Sequence, residues 1–133
     1  LAAQQGLPLQ LHVEGESEAT YPDLAQRAKK QGMDLVKLVR HYAPANVDAS
    51  STHGLTPSVL IGKGALEELM STYEASSHGF FLETDYMDDL RRPGAVLGPK
   101  TVPKRTQQLI AAGLPEDILW NTHQELAQRV YGV

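Results

Sequence analysis

Apolar and polar positions along this chain follow two periods that take turns. Leu7-Pro-Leu-Gln-Leu-His-Val13 puts Leu7, Leu9, Leu11 and Val13 on one face, a period of two that predicts a strand. Thr20-Tyr-Pro-Asp23 then opens a helical pattern with Pro22 suited to a first turn. Leu24, Ala25, Ala28 and Met33 form the apolar face of that helix, and Gly32 supplies its stop. Asp34-Leu-Val-Lys-Leu-Val39 predicts a second strand. A loop with Pro44 and Gly54 follows, in which a helix is weak or missing, and then a strand around Ser58-Val-Leu-Ile61. Gly62 and Gly64 precede a helix built on Leu66, Leu69, Met70 and Tyr73. Phe80-Phe-Leu82 predicts the fourth strand, continuously apolar as buried parallel strands are. After a Pro/Gly-rich stretch from Arg91 to Pro103, two helices are predicted, about Pro103–Ala112 and Pro115–Val130.

Strand–helix alternation predicts an α/β fold with parallel strands joined by crossovers. Four strands make half of a barrel or a small open sheet. The 133 residues suit one domain, and they are about half of the roughly 250 that a closed eight-stranded α/β barrel needs. If the helices cover only the outer face of such a half, its inner face meets water. Pairing with the other half, or with a second copy, is then expected. The chain opens with Leu1 rather than Met, so it is expected to be a piece of a longer polypeptide.

Composition narrows the chemistry. No cysteine is present, which excludes disulfides, thiolate zinc sites, iron–sulfur clusters and a cysteine nucleophile; a cytoplasmic setting is expected. No apolar run reaches the roughly 18 residues of a membrane helix, so no membrane partner is expected. A net charge of −4 argues against a general nucleic-acid coat. Yet no Asp or Glu occurs between Arg91 and Pro115, where Arg91, Arg92, Lys100, Lys104 and Arg105 lie. That local cationic patch suggests an anionic small partner, against the plainer reading of solvated surface charge.

Three potential metal ligands fall at equivalent places: His12 at the end of the first strand, His41 just after Lys37-Leu-Val-Arg40, and Asp85 after Phe80-Phe-Leu-Glu-Thr84. The carboxyl ends of parallel strands face the active site in such folds. Two imidazoles and a carboxylate meeting there suit a divalent cation such as zinc. Singly, each has a plainer alternative: a core histidine, a surface or capping histidine, and an Asx-turn. His53, His78 and His123 show no such placement and read as surface or loop residues. Glu14, Glu16 and Glu18 read as a solvated acidic run, with Glu14 conceivable as a further ligand or a support for one.

Leu82-Glu-Thr-Asp85 resembles the strand-8 signature of the TatD-like metal-dependent hydrolases, a branch of the amidohydrolase-type TIM barrels. The block from Leu82 to Pro103 is similar to an archaeal TatD-related subgroup, as are His41-Tyr-Ala-Pro44, Thr56-Pro-Ser-Val59 and Val130-Tyr-Gly-Val133. The resemblance implies the carboxyl half (strands 5–8) of a TIM (β/α)8 barrel, spanning 1–133. It implies His12 after strand 5, His41 after strand 6 and Asp85 after strand 8 as ligands of divalent ions (Zn, Mg or Mn), usually two per complete site. Asp85 would also be catalytic. The implied activity is hydrolysis of a phosphoester or phosphodiester, nuclease-like, by a metal-activated water, with Arg91, Arg92 and Lys100 gripping an anionic substrate. Related barrels also cleave amides and lactones. The family's strand-1 His-x-His and the Glu after strand 4 have no counterpart here, and His123-Gln-Glu-Leu-Ala lacks an expected Asn. The amino-terminal half, from the same or a cleaved polypeptide, is therefore the expected partner. The alternative is a non-catalytic half-barrel that serves as an interaction or structural module and self-associates.

Overall fold

A computed structural model describes residues 1–87, 89, 91 and 97–133. At its centre four parallel strands lie side by side in chain order: β1 (Leu9–Leu11), β2 (Leu38–Ala43), β3 (Thr56–Leu60) and β4 (Phe81–Glu83). Helix α1 (Ala2–Gln5) precedes them. Helices α2 (Thr20–Lys30), α3 (Ala49–Thr52) and α4 (Ala65–Thr72) link successive strands, and α5 (Thr101–Ala111), α6 (Glu116–Trp120) and α7 (Leu126–Tyr131) follow. An unreversed strand order is compatible with a barrel segment, whereas a doubly wound sheet reverses at a switch point. The fold is α/β, and its sheet is compatible with half of a TatD-type barrel. No helix among the described residues is long and apolar enough to cross a membrane.

Local chemistry shifts the strands from their predicted bounds. The Asp34 carboxylate accepts from the Val36 N–H at 3.1 Å and opens a single 3-10 turn over Leu35–Lys37. The second strand therefore starts at Leu38, not Asp34, and His41 sits inside it. β1 keeps only three residues of the predicted Leu7–Val13 run. β3 begins at Thr56 rather than Ser58, and β4 runs one residue later than Phe80–Leu82. Between β2 and β3, where little helix was expected, Asp48 caps one turn by accepting from the Ser50 N–H at 2.7 Å. The bonds to Ser50 also hold its carboxyl below the usual range.

Strands β2, β3 and β4 are covered on both faces, while Leu9 and Gln10 of β1 stay exposed. Val59, Ile61, Phe80 and Leu82 pack with Leu69 of α4 and Leu109 of α5, while Leu38 and Leu11 pack with Tyr21 and Ala25 of α2. Side chains of the other parity, Val39 and Phe81, pack with Leu126 and Val130 of α7, and the Phe81 ring stacks on Tyr131 at 5.6 Å. The expectation that helices leave the inner face wet is corrected at Val39 of β2 and Phe81 of β4, where the last helix turns back across the sheet, while Gln10 of β1 stays exposed. Leu126 and Val130 are almost fully buried there.

The last helical segment is continuous but not uniform, since a π turn over Asn121–Glu125 joins α6 to α7. Its first residue, Asn121, faces the loop before β4. The Asn121 side chain reaches over Gly79, which has φ +106° and where a Cβ would come within 2.2 Å of the Asn121 Nδ2. Asn121 and Arg129 both donate to the His78 carbonyl, at 3.4 and 2.7 Å. His78 lies in the loop before β4, as expected, and is half-buried there. Thr56 Oγ1 donates to the Val36 carbonyl at 2.6 Å, so its 2.8 Å contact with His78 Nε2 needs the proton on the histidine. Ser77 Oγ lies 2.8 Å from Nδ1 and can serve it in either role, so Thr56 alone specifies the proton on Nε2. His123 is exposed, as the sequence predicts, with Nε2 3.1 Å from Thr106 Oγ1.

Two outcomes follow for stability. Gly79→Ala combines a left-handed backbone with displacement of Asn121, and should cost about 2 kcal/mol in a denaturant melt. Burial, seconded by Arg129, holds the His78 imidazole below its ordinary 6.5, and burial does the same for His123. Below 6.5 the unfolded chain binds the proton first. Stability should therefore be flat above that pH and fall as pH drops through the lowered folded value. His78→Gln should make that acid slope shallower, with His123 supplying the remainder; an unchanged slope would remove His78 as its source.

Candidate functional site

The carboxyl ends of β2, β3 and β4 converge on one carboxylate. Glu83, the last residue of β4, accepts from the Tyr42 N–H at 2.8 Å and from the Ser58 hydroxyl. Its Oε1 and Oε2 lie 2.9 and 3.1 Å from His41 Nδ1. Three strands are pinned through three donors. The pairing of β2 with β3 carries one extra residue between Arg40 and Ala43, a bulge that turns His41 and Tyr42 toward the rim. Tyr42 adopts φ 57° there, and Asp85, two residues after Glu83, adopts φ 49°. Left-handed backbone is costly for a tyrosine and tolerable for an aspartate.

With Nδ1 donating to Glu83, His41 presents the lone pair of Nε2, and that atom faces Asp85 Oδ1 at 3.4 Å. Two acceptors facing each other need a cation between them, either a proton or a metal ion. Ligands of a tetrahedral zinc ion, 2.0–2.1 Å from the metal, lie about 3.4 Å apart. The carboxylate behind the far ring nitrogen is the support that metal-ligating histidines characteristically have. His12 follows β1, its ring centroid 5.4 Å from that of His41. It is largely exposed, with Nε2 3.6 Å from Glu14 Oε1. Among the described residues no three His, Cys, Asp or Glu groups are gathered closely enough to hold a metal ion. The donors fit one side of a divalent site, with His41 and Asp85 paired and His12 beside them.

Neighbouring charges hold the rim in shape. Arg40 lies 3.8 Å over the Tyr21 ring and donates to Glu16 at 2.8 Å, which ties the loop after His12 to β2. Glu16 is thus engaged rather than one of a merely solvated run. Burial first, and the bond to Glu16 second, push the Tyr21 hydroxyl above its ordinary value. Of the predicted substrate residues, Arg91 donates to both carboxylate oxygens of Asp89, at 3.0 and 3.2 Å, and remains exposed. Lys100 is exposed at the start of α5. Arg92 lies outside the described residues.

Glu83 was missed at the level of sequence. Its only signal was its parity: it lies two before Asp85, at the end of an apolar run, where an inward-facing carboxylate needs partners.

The family model described as TatD related DNase matches residues 1–132. An uncharacterized protein of Methanocaldococcus jannaschii is 36% identical over 132 residues, which are 98% of this chain and 45% of that protein. The chain therefore spans about half the length of the curated relative it matches. No solved structure matches. Histidines at the ends of β1 and β2 and carboxylates at the end of β4, and a match along almost the whole sequence, agree: the chain belongs to the TatD-related DNase family.

Proposed function

We propose that this chain is the carboxyl half, strands 5–8, of a divalent-metal-dependent hydrolase that cleaves a phosphoester or phosphodiester. The observation that carries the reading is the arrangement Glu83–His41–Asp85, in which a largely shielded carboxylate orients an imidazole whose free nitrogen faces a second carboxylate at 3.4 Å. His41 Nε2, Asp85 Oδ1 and His12 would hold the metal ion, and further ligands would come from the amino-terminal half. A divalent ion bound there supplies a water acidic enough to attack near neutral pH and a positive charge for the developing oxyanion. Asp85 accepts the proton of the attacking water at its carboxylate. Glu83 keeps the His41 proton on Nδ1. Arg91, Arg92 and Lys100 attract the anionic substrate to this rim.

The amino-terminal half would dock along β1, which has no strand on its outer side. Leu9, Leu11, Leu24, Met33 and Leu38 line a cleft of about 280 Å³ there, with Ala2 and Ala3. A second reading, a non-catalytic self-associating half-barrel, is favoured by the cover that α7 gives the inner face. Metal content separates the two: tightly bound divalent ions support the hydrolase, and none supports the module.

In the complete polypeptide Asp85→Asn should abolish metal-dependent phosphodiester hydrolysis and leave the circular dichroism and melt unchanged, since asparagine also tolerates φ near 49°. Glu83→Gln removes one acceptor and should weaken divalent binding by about 10–100-fold in a competition titration. Full activity in Asp85→Asn would overturn the assignment. Replacing Arg91 and Arg92 together with Ala should raise KM for a phosphorylated substrate and flatten its salt dependence. An unchanged KM would return both to solvated surface charge.

A further inference from the structure

We infer that the Arg40–Glu16 ion pair is a positioning device, holding the loop after β1 so that His12 stays beside His41 as a metal ligand. This role rests on the hydrolase reading and adds to it two residues that are not themselves ligands. Arg40 precedes His41 on β2, and successive side chains of a strand point to opposite faces. His41 turns to Glu83, whereas Arg40 lies on the helix-covered face, 3.8 Å over the Tyr21 ring. The Arg40 backbone is in register with Leu11, the residue before His12. Its side chain, 13% exposed, donates at 2.8 Å to Glu16, four residues after His12. One arginine therefore fixes the chain on both sides of His12, through the strand ladder at Leu11 and through the carboxylate at Glu16.

Between these anchors His12 has little of its own to hold it. Its side chain is 66% exposed, and Glu14, 3.6 Å away, is more exposed still. Val13 adds one half-buried apolar contact. Gly15 then adopts φ 68°, a left-handed turn that lets the chain bring Glu16 back to Arg40. Beyond it the Ser17 N–H donates to Thr20 Oγ1 at 2.9 Å, which closes the loop onto the start of α2. Packing on Tyr21 does not by itself call for an arginine, because an apolar side chain stabilises such a place as well or better. A shielded ion pair is better suited to fixing one arrangement among several. The arrangement fixed here is the approach of two imidazoles whose ring centroids lie 5.4 Å apart.

The test loads the complete polypeptide with one equivalent of copper(II) and counts the bound imidazoles by pulsed electron paramagnetic resonance. His12→Ala should show one imidazole fewer than the wild type. Glu16→Ala and Arg40→Met should each reproduce that loss and weaken copper binding by about 10–100-fold. Arg40→Lys, still able to reach Glu16, should keep the wild-type count. Methionine preserves the packing on Tyr21 and Glu16 is 46% exposed, so folded variants are available. A role in stability alone would lower the melt without changing the count. A wild-type count in Glu16→Ala, in Arg40→Met or in His12→Ala would overturn the inference, as would a loss in Arg40→Lys equal to that in Arg40→Met. Wild-type protein that binds no copper, or binds it without His41, would sink the hydrolase reading as well. Loss of the imidazole in both variants, with no phosphodiester hydrolysis by the wild type, would sink the reaction and leave Arg40 and Glu16 their role.

Discussion

The Glu83 carboxylate joins three strands at the end where chemistry would occur. It receives an imidazole N–H, a backbone N–H and a hydroxyl, and it is largely shielded from water. Hydrogen bonds to a charged group contribute about 1.5–3 kcal/mol each, and losing one partner leaves buried charge uncompensated. The same contacts decide geometry. The bond to the Tyr42 N–H stabilises the bulge, the bulge turns His41 toward β4, and the bond to Nδ1 determines which nitrogen is offered to Asp85. Stability and ligand presentation therefore share one origin.

Much of the architecture was legible in the alternation of periods. The four strands, their parallel order and the helices on Leu24, Leu69 and Leu109 all follow from which residues are apolar and at what spacing. The errors share a cause. Strand bounds moved wherever one polar side chain competed with the ladder, as Asp34 does when it opens a 3-10 turn and pushes β2 toward the rim. Of the site, the ends of β2 and β4 were readable because histidine and aspartate are conspicuous there. Glu83 was not, because its role depends on a bulge that no local pattern announces. His78 does lie in a loop, but its burial was not legible because its partners, Thr56, Asn121 and Arg129, are remote in sequence.

Both faces of the sheet are involved in holding the rim. On one, α4 and α5 press Val59, Ile61 and Phe80 into a core whose members are nearly all fully buried. On the other, α7 reaches Val39 and Phe81, two residues before His41 and Glu83 on their strands. The apolar layer therefore lies directly beneath the polar one on the same two strands. Burial below limits how far the imidazole and carboxylate above can swing, which suits a site whose donors must be held within fractions of an ångström.

The π turn over Asn121–Glu125 acts as a phase adjuster. A helix advances about 100° per residue, so one residue more or fewer rotates everything beyond it by that angle. With the turn in place, Leu126 and Val130 meet Val39, and Tyr131 meets Phe81. Without its extra residue the same helix would swing that stripe by about 100°, out of register with Val39 and Phe81. The side of the sheet that stays dry is thus set by a single residue's worth of helical rotation, held in place because Gly79 leaves room for Asn121.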